Sequence, residues 1–309
     1  MSATTAYALQ QLLNATQVAS FYGLLAVSYV LMHAITRRIN FAFGALSIWA
    51  SYTIVNISMW LMLIWPGHVL LPLLIGSGAA LAHTVLTGLI IERTVVRPLV
   101  REPSLAMLAA TLGLALAMEE AMRLANDSRE KWLLPIDGLD YRLGGPAAFP
   151  VMVTGVQIIV VIVACSIGAG LMLFIARHPF GRIWRACAED LKMAELTGVN
   201  VSRTVMITFA LASSCAAVAG VLMTLSYGVA SFSGGFVIGL KTLFIAVVGG
   251  LNSIPGVFVG GIILGAFETA WSAIFGPNMR DAAAFLALTG LMIARPQGLF
   301  GGAVRTEPV

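Results

Sequence analysis

Few side chains in this 309-residue chain have the type and setting to do chemistry. Glu268 lies within the apolar run GIILGAFETAW and Lys241 within the apolar stretch 236–251. Charge is costly to desolvate there, so Glu268 is a functional candidate by position alone. Two roles are open to it: a carboxylate on a translocation path, or a hydrogen-bonding tie between helices. Lys241 either snorkels toward the surface or pairs with an acid. Asn40, Ser47, Ser51 and Asn56 add a polar set in the second apolar run, and positions 40, 44, 47 and 51 share one helical face. That face fits a polar path and ordinary interhelical hydrogen bonding equally well.

Motifs for covalent chemistry do not emerge. A phosphate cradle needs a Gly-rich loop ending Gly-Lys-Ser/Thr, and Gly239-Leu240-Lys241-Thr242 lacks the glycine before the lysine and sits in an apolar segment. His33, His68, His83 and His178 fall on separate segments with no i, i+4 pair. Cys165 and Cys215 fall in apolar runs and Cys187 in a polar loop, without metal-knuckle or disulfide spacing. The expectation is no catalytic residue, no metal and no enzyme activity. Gly249-Gly250 and the run Gly256, Gly260, Gly261, Gly265 are spaced for close helix packing.

The elements that must position these residues are membrane helices. Of the chain, 59% is apolar and 10% charged, with a mean hydropathy of +0.92, against about 25% charged in a soluble domain. With about 20 residues per crossing, the length accommodates about eight to ten membrane segments. The fold expected is an all-α polytopic transmembrane bundle with some broken or re-entrant helices, forming a single membrane-embedded domain over 1–309. The net charge of +4 reflects basic loops on one side of a lipid membrane and not nucleic-acid binding. The N-terminal stretch has no Lys or Arg before the first apolar run, so it lacks a signal-peptide n-region and the first helix is expected to be retained.

The first run, 18–35, stops at Arg37-Arg38, which places the N-terminus outside and this pair in the cytoplasm. Runs follow at 40–60, 69–91, 104–124, 151–176 and 204–226, with Pro98 and Pro103 expected to end the third. The polar stretch 125–149 is expected outside. Gly and Pro punctuation around 236–274 favours half-helices or a re-entrant turn over two plain crossings. A short run, 282–294, ends at Arg295-Pro296. On this topology 12 cations are cytoplasmic and five outside (Arg123, Arg129, Lys131, Arg142, Arg280), with Lys241 in the membrane. The C-terminus is then cytoplasmic. Asn40-Phe41-Ala42-Phe43-Gly44 and Asn252-Ser253-Ile254-Pro255-Gly256 form a weak internal echo.

The segment 177–203 is the one part of the second half suited to water. Within it, 184–198 has helical signs: Trp184, Ala188, Leu191 and Ala194 share a face, Glu189 and Lys192 stand i, i+3 apart, and Gly198 suits a C′ position. Ser202 is placed to cap the next helix. A short amphipathic helix held between two membrane helices fits a protein contact that transmits force, or an interfacial helix on lipid.

The run Phe180-Gly181-Arg182, Arg185-Ala186, Ala188-Glu189-Asp190, Ala194, Gly198-Val199-Asn200 resembles the cytoplasmic coupling segment of branched-chain amino-acid ABC transporter permeases. Asn40-Phe41-Ala42, Glu92-Arg93 with Arg97-Pro98, Ala219-Gly220-Val221-Leu222, Val248-Gly249-Gly250 with Ser253-Ile254-Pro255-Gly256, and Pro296 with Gly298 are similar to the same family, in order along the chain. The resemblance implies a bacterial inner-membrane permease subunit of a high-affinity importer for branched-chain or other small amino acids. It implies a second related permease, two ABC ATPase subunits and an extracytoplasmic substrate-binding protein as partners, with ATP bound by the ATPases and no cofactor on this chain. It makes Arg185, Glu189, Asp190, Lys192, Ala194 and Gly198 the ATPase-coupling residues, and leaves Asn40, Ser47, Ser51, Asn56 and Glu268 as path candidates. The family's Glu-Ala-Ala pattern survives only as Ala194 with Gly198, and its usual His and Glu after Asn40 are Phe43 and Ala45 here. A urea or amide permease of the same family, an ion-coupled transporter or channel working alone, and a membrane scaffold are the alternatives. Reversal of Glu189 and Asp190 is expected to uncouple transport, and Cys187 to react with impermeant thiol reagents from the cytoplasmic side only.

Overall fold

The computed structural model describes residues 2–100, 102–134, 140–144, 150–251 and 253–295. In hydrocarbon a chain must satisfy its own backbone, and the apolar runs do so as helices. These are α1 (Ala3–Thr36), α2 (Ala42–Ile64) and α3 (Leu70–Ile91), the last continuing through a π-helical turn, Glu92–Val96, into α4 (Arg97–Leu99). They are followed by α5 (Ser104–Ala125), α6 (Gly155–Arg177), α7 (Pro179–Glu189), α8 (Leu191–Leu196), α9 (Val201–Tyr227), α10 (Gly235–Gly249), α11 (Ile254–Phe275) and α12 (Arg280–Ala294). Seven of the helices, with α3 to α4 taken as one, are long and apolar enough to cross a membrane. Two more, α10 and α12, have 15 residues each, or about 22 Å against a hydrocarbon core of about 30 Å.

At one end of the bundle, β1 (Lys131–Trp132) pairs antiparallel with β4 (Val229–Ala230), and β2 (Asp140–Gly144) with β3 (Val151–Thr154). We call this the hairpin end. The opposite end carries Arg37, Arg38, α7 and α8 and is the basic end. These strands are short and have no long alternating pattern, so the stretch 125–149 reads from sequence only as a polar loop.

The bundle is built around α1, which packs against α6, α9, α10 and α11. Its buried side chains include Phe21, Leu24, Leu25, Tyr29, Leu31 and Met32. Small residues let the neighbours approach. A Cβ on Gly261 of α11 would lie 2.5 Å from Gly23 Cα, and one on Gly265 would lie 2.5 Å from Ala19 N. Gly220 of α9 likewise meets the backbone of Ser47 in α2, where a Cβ would overlap the Ser47 carbonyl.

Of the two short helices, α10 starts inside the bundle. Gly235 lies beside Ala45 and Ile48, and Gly239 beside Gly44 and Phe41, so α10 runs antiparallel to α2 along its body. Its first amide group is capped from another helix: Phe236 N donates to Glu119 Oε1 of α5 at 2.6 Å. Residue 119 lies about 22 Å along α5, so this half-helix begins at membrane depth with a carboxylate at its positive end. Gly and Pro punctuation predicts such a half-helix for α10; α11, by contrast, is a full-length crossing of 22 residues.

Four local expectations are corrected. Pro98 does not end the third helix: the π turn widens the backbone just before it, where the proline ring would otherwise meet a carbonyl, and the chain stays helical to Leu99. The segment 184–198 is two helices that break at Asp190, not one. Asn200, not Ser202, caps α9, its Oδ1 accepting from Arg203 N at 3.0 Å. Cys187 is 1% exposed, and burial pushes its thiol up while a hydrogen bond with Thr204 acts the other way, so it is a poor topology probe. Arg101, Asn252, Pro296, Gly298 and Arg305 lie outside the described residues.

The Gly220 contact gives a paired test. Gly220→Val forces α2 and α9 apart and is expected to cost about 1–3 kcal/mol, seen as a lower thermal midpoint in detergent. Gly113→Ala, where a Cβ would meet nothing within 4 Å, is expected to leave the midpoint unchanged.

Candidate functional site

The two charged residues in apolar runs meet. Lys241 of α10 and Glu268 of α11 are 2% and 1% exposed, with Nζ 2.6 Å from Glu268 Oε1. Lys241 Nζ also lies 2.7 Å from Asp281 Oδ1 of α12, and donates to the Tyr22 hydroxyl of α1 at 3.3 Å. Tyr22 in turn donates to Glu268 Oε2 at 3.1 Å. Arg280 approaches both acids, with Nε 3.7 Å from Glu268 and 3.5 Å from Asp281. Two cations face two carboxylates, so the cluster is neutral as a whole. It joins four helices. Of the two readings for Lys241, the structure shows the pair with an acid.

Two cavities with hydroxyl, amide or charged groups in their walls lie on either side of Tyr227, at the end of α9. The larger, about 290 Å³, opens at the hairpin end among α1, α9 and α11, and Gln11, Asn14, Gln17, Glu268, Thr269 and Arg280 are among the residues that line it. The smaller, about 140 Å³, is lined by Ser47, Ser51, Thr224, Ser231 and Ser233 among others. Tyr227 borders both. Ser51 donates to the carbonyls of Ser47 and Gly220 at 3.0 Å each, and Ser47 to Gly44 O at 2.7 Å, so both hydroxyls also bond helix backbone.

The remaining path candidates stand apart from these cavities. Asn40 precedes α2, 2% exposed, its Oδ1 accepting from Ala42 N at 2.9 Å and its amide donating to Met32 Sδ at 3.2 Å. Asn56 lies toward the hairpin end of α2, donating to Asn126 Oδ1 at 3.0 Å and accepting from Lys131 Nζ at 2.6 Å. The shared face therefore does not make one continuous polar line. Its glycine, Gly44, packs on α10.

At the basic end α7 and α8 form a braced unit. His178 caps α7, with Pro179 at its first position. Asp190 ends α7 and begins α8, its Oδ1 accepting from Lys192 N at 2.8 Å and Met193 N at 3.1 Å. Gly198, at φ +88°, closes α8: Val199 N donates to Ala194 O and Gly198 N to Glu195 O. Gly181, Trp184, Cys187 and Ala194 face inward. Trp184 Nε1 donates to Leu31 O of α1 at 3.3 Å, and Arg185 Nη1 to Ile175 O of α6 at 2.9 Å. Arg37 at the end of α1 donates through Nη2 to Ala188 O and Glu189 O at 2.8 and 2.9 Å, a cation on the carbonyl end of α7. Glu189 and Lys192 form no ion pair, because the break at Asp190 separates them. Met193 and Leu196 point outward, 62% and 80% exposed, beside Lys192 and Glu195.

Sequence reasoning passed over several of these residues. Glu119 had a signal, an acid near the end of an apolar run. Tyr22 and Tyr227 had none, since a tyrosine among apolar residues looks like core. In the sequence Arg37 reads only as a topology marker.

Removing one member of a buried pair leaves the other unpaired, at about 3–5 kcal/mol. Lys241→Met is expected to lower the thermal midpoint strongly in detergent. The double variant Lys241→Met with Glu268→Leu is expected to recover more than half of that loss, since Asp281 is half exposed and stays hydrated. A double variant as unstable as the single would show that the pair is not the unit.

The family described as branched-chain amino acid transport system / permease component matches residues 11–294. The high-affinity branched-chain amino acid transport system permease protein BraD of Pseudomonas aeruginosa is 36% identical over 293 residues, 95% of either chain. The corresponding LivH of Escherichia coli is 34% identical over 301 residues, 97% of this chain and 98% of the relative. The xylose transport system permease protein XylH of Escherichia coli is 35% identical over 117 residues, 38% of this chain and 30% of the relative. No solved structure matches this chain. A whole-length match in a bundle of seven crossing helices is consistent with a transport permease, and the chain belongs to the family of branched-chain amino acid transport permease components.

Proposed function

We propose that this chain is a permease subunit of an ATP-binding-cassette importer in the bacterial inner membrane, translocating branched-chain or other small amino acids by alternating access. The observation that carries this reading is similarity over 95% and 97% of the chain to permeases named for high-affinity branched-chain amino acid transport. Two ATPase subunits, a second related permease and an extracytoplasmic binding protein complete the assembly. The chain itself binds no ATP and catalyses no reaction. Its N-terminus is outside and its C-terminus cytoplasmic, in line with the excess of Arg and Lys at the basic end.

The braced α7–α8 unit supports the lever. An ATPase surface that grips Met193, Leu196 and their flanking charges moves a body bonded to α1 and α6, and does not bend a loose loop. Arg37 and Trp184 pass that movement to α1. About 22 Å along α1, Tyr22 holds the Lys241–Glu268 pair beside the outer cavity. Arg185, Glu189, Asp190, Lys192, Ala194 and Gly198 build this unit, with Asp190 and Gly198 shaping its helices. Ser47, Ser51 and Glu268 are the path candidates that border cavities.

Two alternatives lose ground. Ion coupling by a lone chain needs an acid free to exchange its counter-ion, and Glu268 has Lys241 at 2.6 Å. The urea or amide reading draws on Phe43 and Ala45, yet these are 1% and 2% exposed and pack inside the bundle, so their apolar character follows from packing.

Leu196→Cys, in vesicles that hold this chain without the ATPases, is expected to react with an impermeant thiol reagent only when the vesicles are inside-out; reaction from outside would overturn the orientation. Met193→Ser with Leu196→Ser is expected to lower ATP-dependent uptake by about tenfold with normal membrane insertion and continued ATP hydrolysis. Unchanged uptake would remove the lever role. Uptake by the purified lone chain under an ion gradient would replace the importer reading with the ion-coupled one.

A further inference from the structure

A cavity of about 560 Å³, wider than the two described above, lies at the basic end and belongs to neither the outer site nor the exposed tip of α8. Its origin is geometric. Helices α6 and α11 run antiparallel and meet where Phe258 packs against Gly168. From that contact they part toward the basic end, and the gap holds Met172 and Ile175 of α6 against Ile254 of α11 and Leu251 before it. Val30 and Ala34 of α1 form the back wall. The α6 positions lie about 6–12 Å beyond the contact, in the last turns before Arg177 closes the helix. This is the depth at which acyl chains give way to headgroups.

The mouth is cationic. Arg37 and Arg185 both line it, and each is fixed by backbone carbonyls and not by an acid: Arg37 spends Nε and Nη2 on Ala188 and Glu189, and Arg185 spends Nη1 on Ile175. Among the described residues neither forms an ion pair. Both therefore keep a full charge and unused N–H donors, held in place. Glu189 is the one acid that lines the cavity, so the lining carries a net charge of one positive unit.

An apolar slot at interfacial depth under two fixed guanidiniums matches one chemistry. We propose that this cavity is a binding site for a single anionic glycerophospholipid of the leaflet at the basic end, with its phosphate on Arg37 and Arg185 and an acyl chain between α1, α6 and α11. A net-neutral headgroup adds an ammonium that the two arginines repel, which favours the anionic class. A soluble anion would satisfy the arginines but leave the apolar slot empty. Bound lipid would wedge α7 against α1 at the root of the α7–α8 unit.

The test is native mass spectrometry on the full chain, purified with its associated subunits and supplied with equal amounts of phosphatidylglycerol and phosphatidylethanolamine. One phosphatidylglycerol per chain is expected to be retained in preference. Arg185→Gln is expected to weaken that retention about fivefold, and Ala34→Phe, which fills the slot and keeps both arginines, to abolish it. Equal retention of the two lipids would overturn the proposal without any variant. So would unchanged retention in both variants, which marks annular lipid, or a photoreactive residue at position 34 that crosslinks to a partner subunit and not to lipid.

Discussion

A lysine in hydrocarbon must be neutralised where it stands, and Lys241 sets the arrangement of the second half of this protein. Its side chain is buried, so its ammonium is met by protein groups and not by bulk water. The chain brings it Glu268 from α11, Asp281 from α12 and the Tyr22 hydroxyl from α1. One cation thereby orients a half-helix against three neighbours. Glycines at the α1–α11 seam let those backbones come close enough for Tyr22 to reach Glu268.

The same rule works in reverse at the basic end. There water is near, and Arg37, Arg38 and Arg185 bond backbone carbonyls at helix ends and turns: Arg37 to the end of α7, Arg185 to Ile175, and Arg38 to Glu102. Carbonyls left over at helix ends are thus satisfied without consuming charge. Rigidity and uncompensated positive charge then coexist at this end, which is what the proposed lever and lipid site both call for. In the family's importer reading, the two ends are linked through α1, which bears Arg37 at one end and Tyr22 near its middle.

The cavities follow from the broken helices. Because α10 starts inside the bundle, the connection after α9 places Ser231 and Ser233 on the wall of a small cavity, and Glu119 supplies the carboxylate that the buried helix start requires. Tyr227 separates that space from the larger one at the hairpin end.

Hydropathy alone settles that this chain is a helical membrane bundle, because each crossing must be a long apolar run whatever its neighbours. Local chemistry likewise determines some glycine roles: Gly198 closes a helix and Gly261 and Gly265 make a close seam, since these effects act over one or two turns or depend on side-chain size alone. The Asp190 break escaped because an aspartate is as compatible with a helix surface as with an N-cap, and only the paths of α6 and α9 decide between them. The partners of Glu268, the carboxylate under α10 and the carbonyls held by Arg37 come from residues far apart in the chain. Only tertiary structure decides them, because desolvation demands that a buried charge be met but does not say by which distant residue.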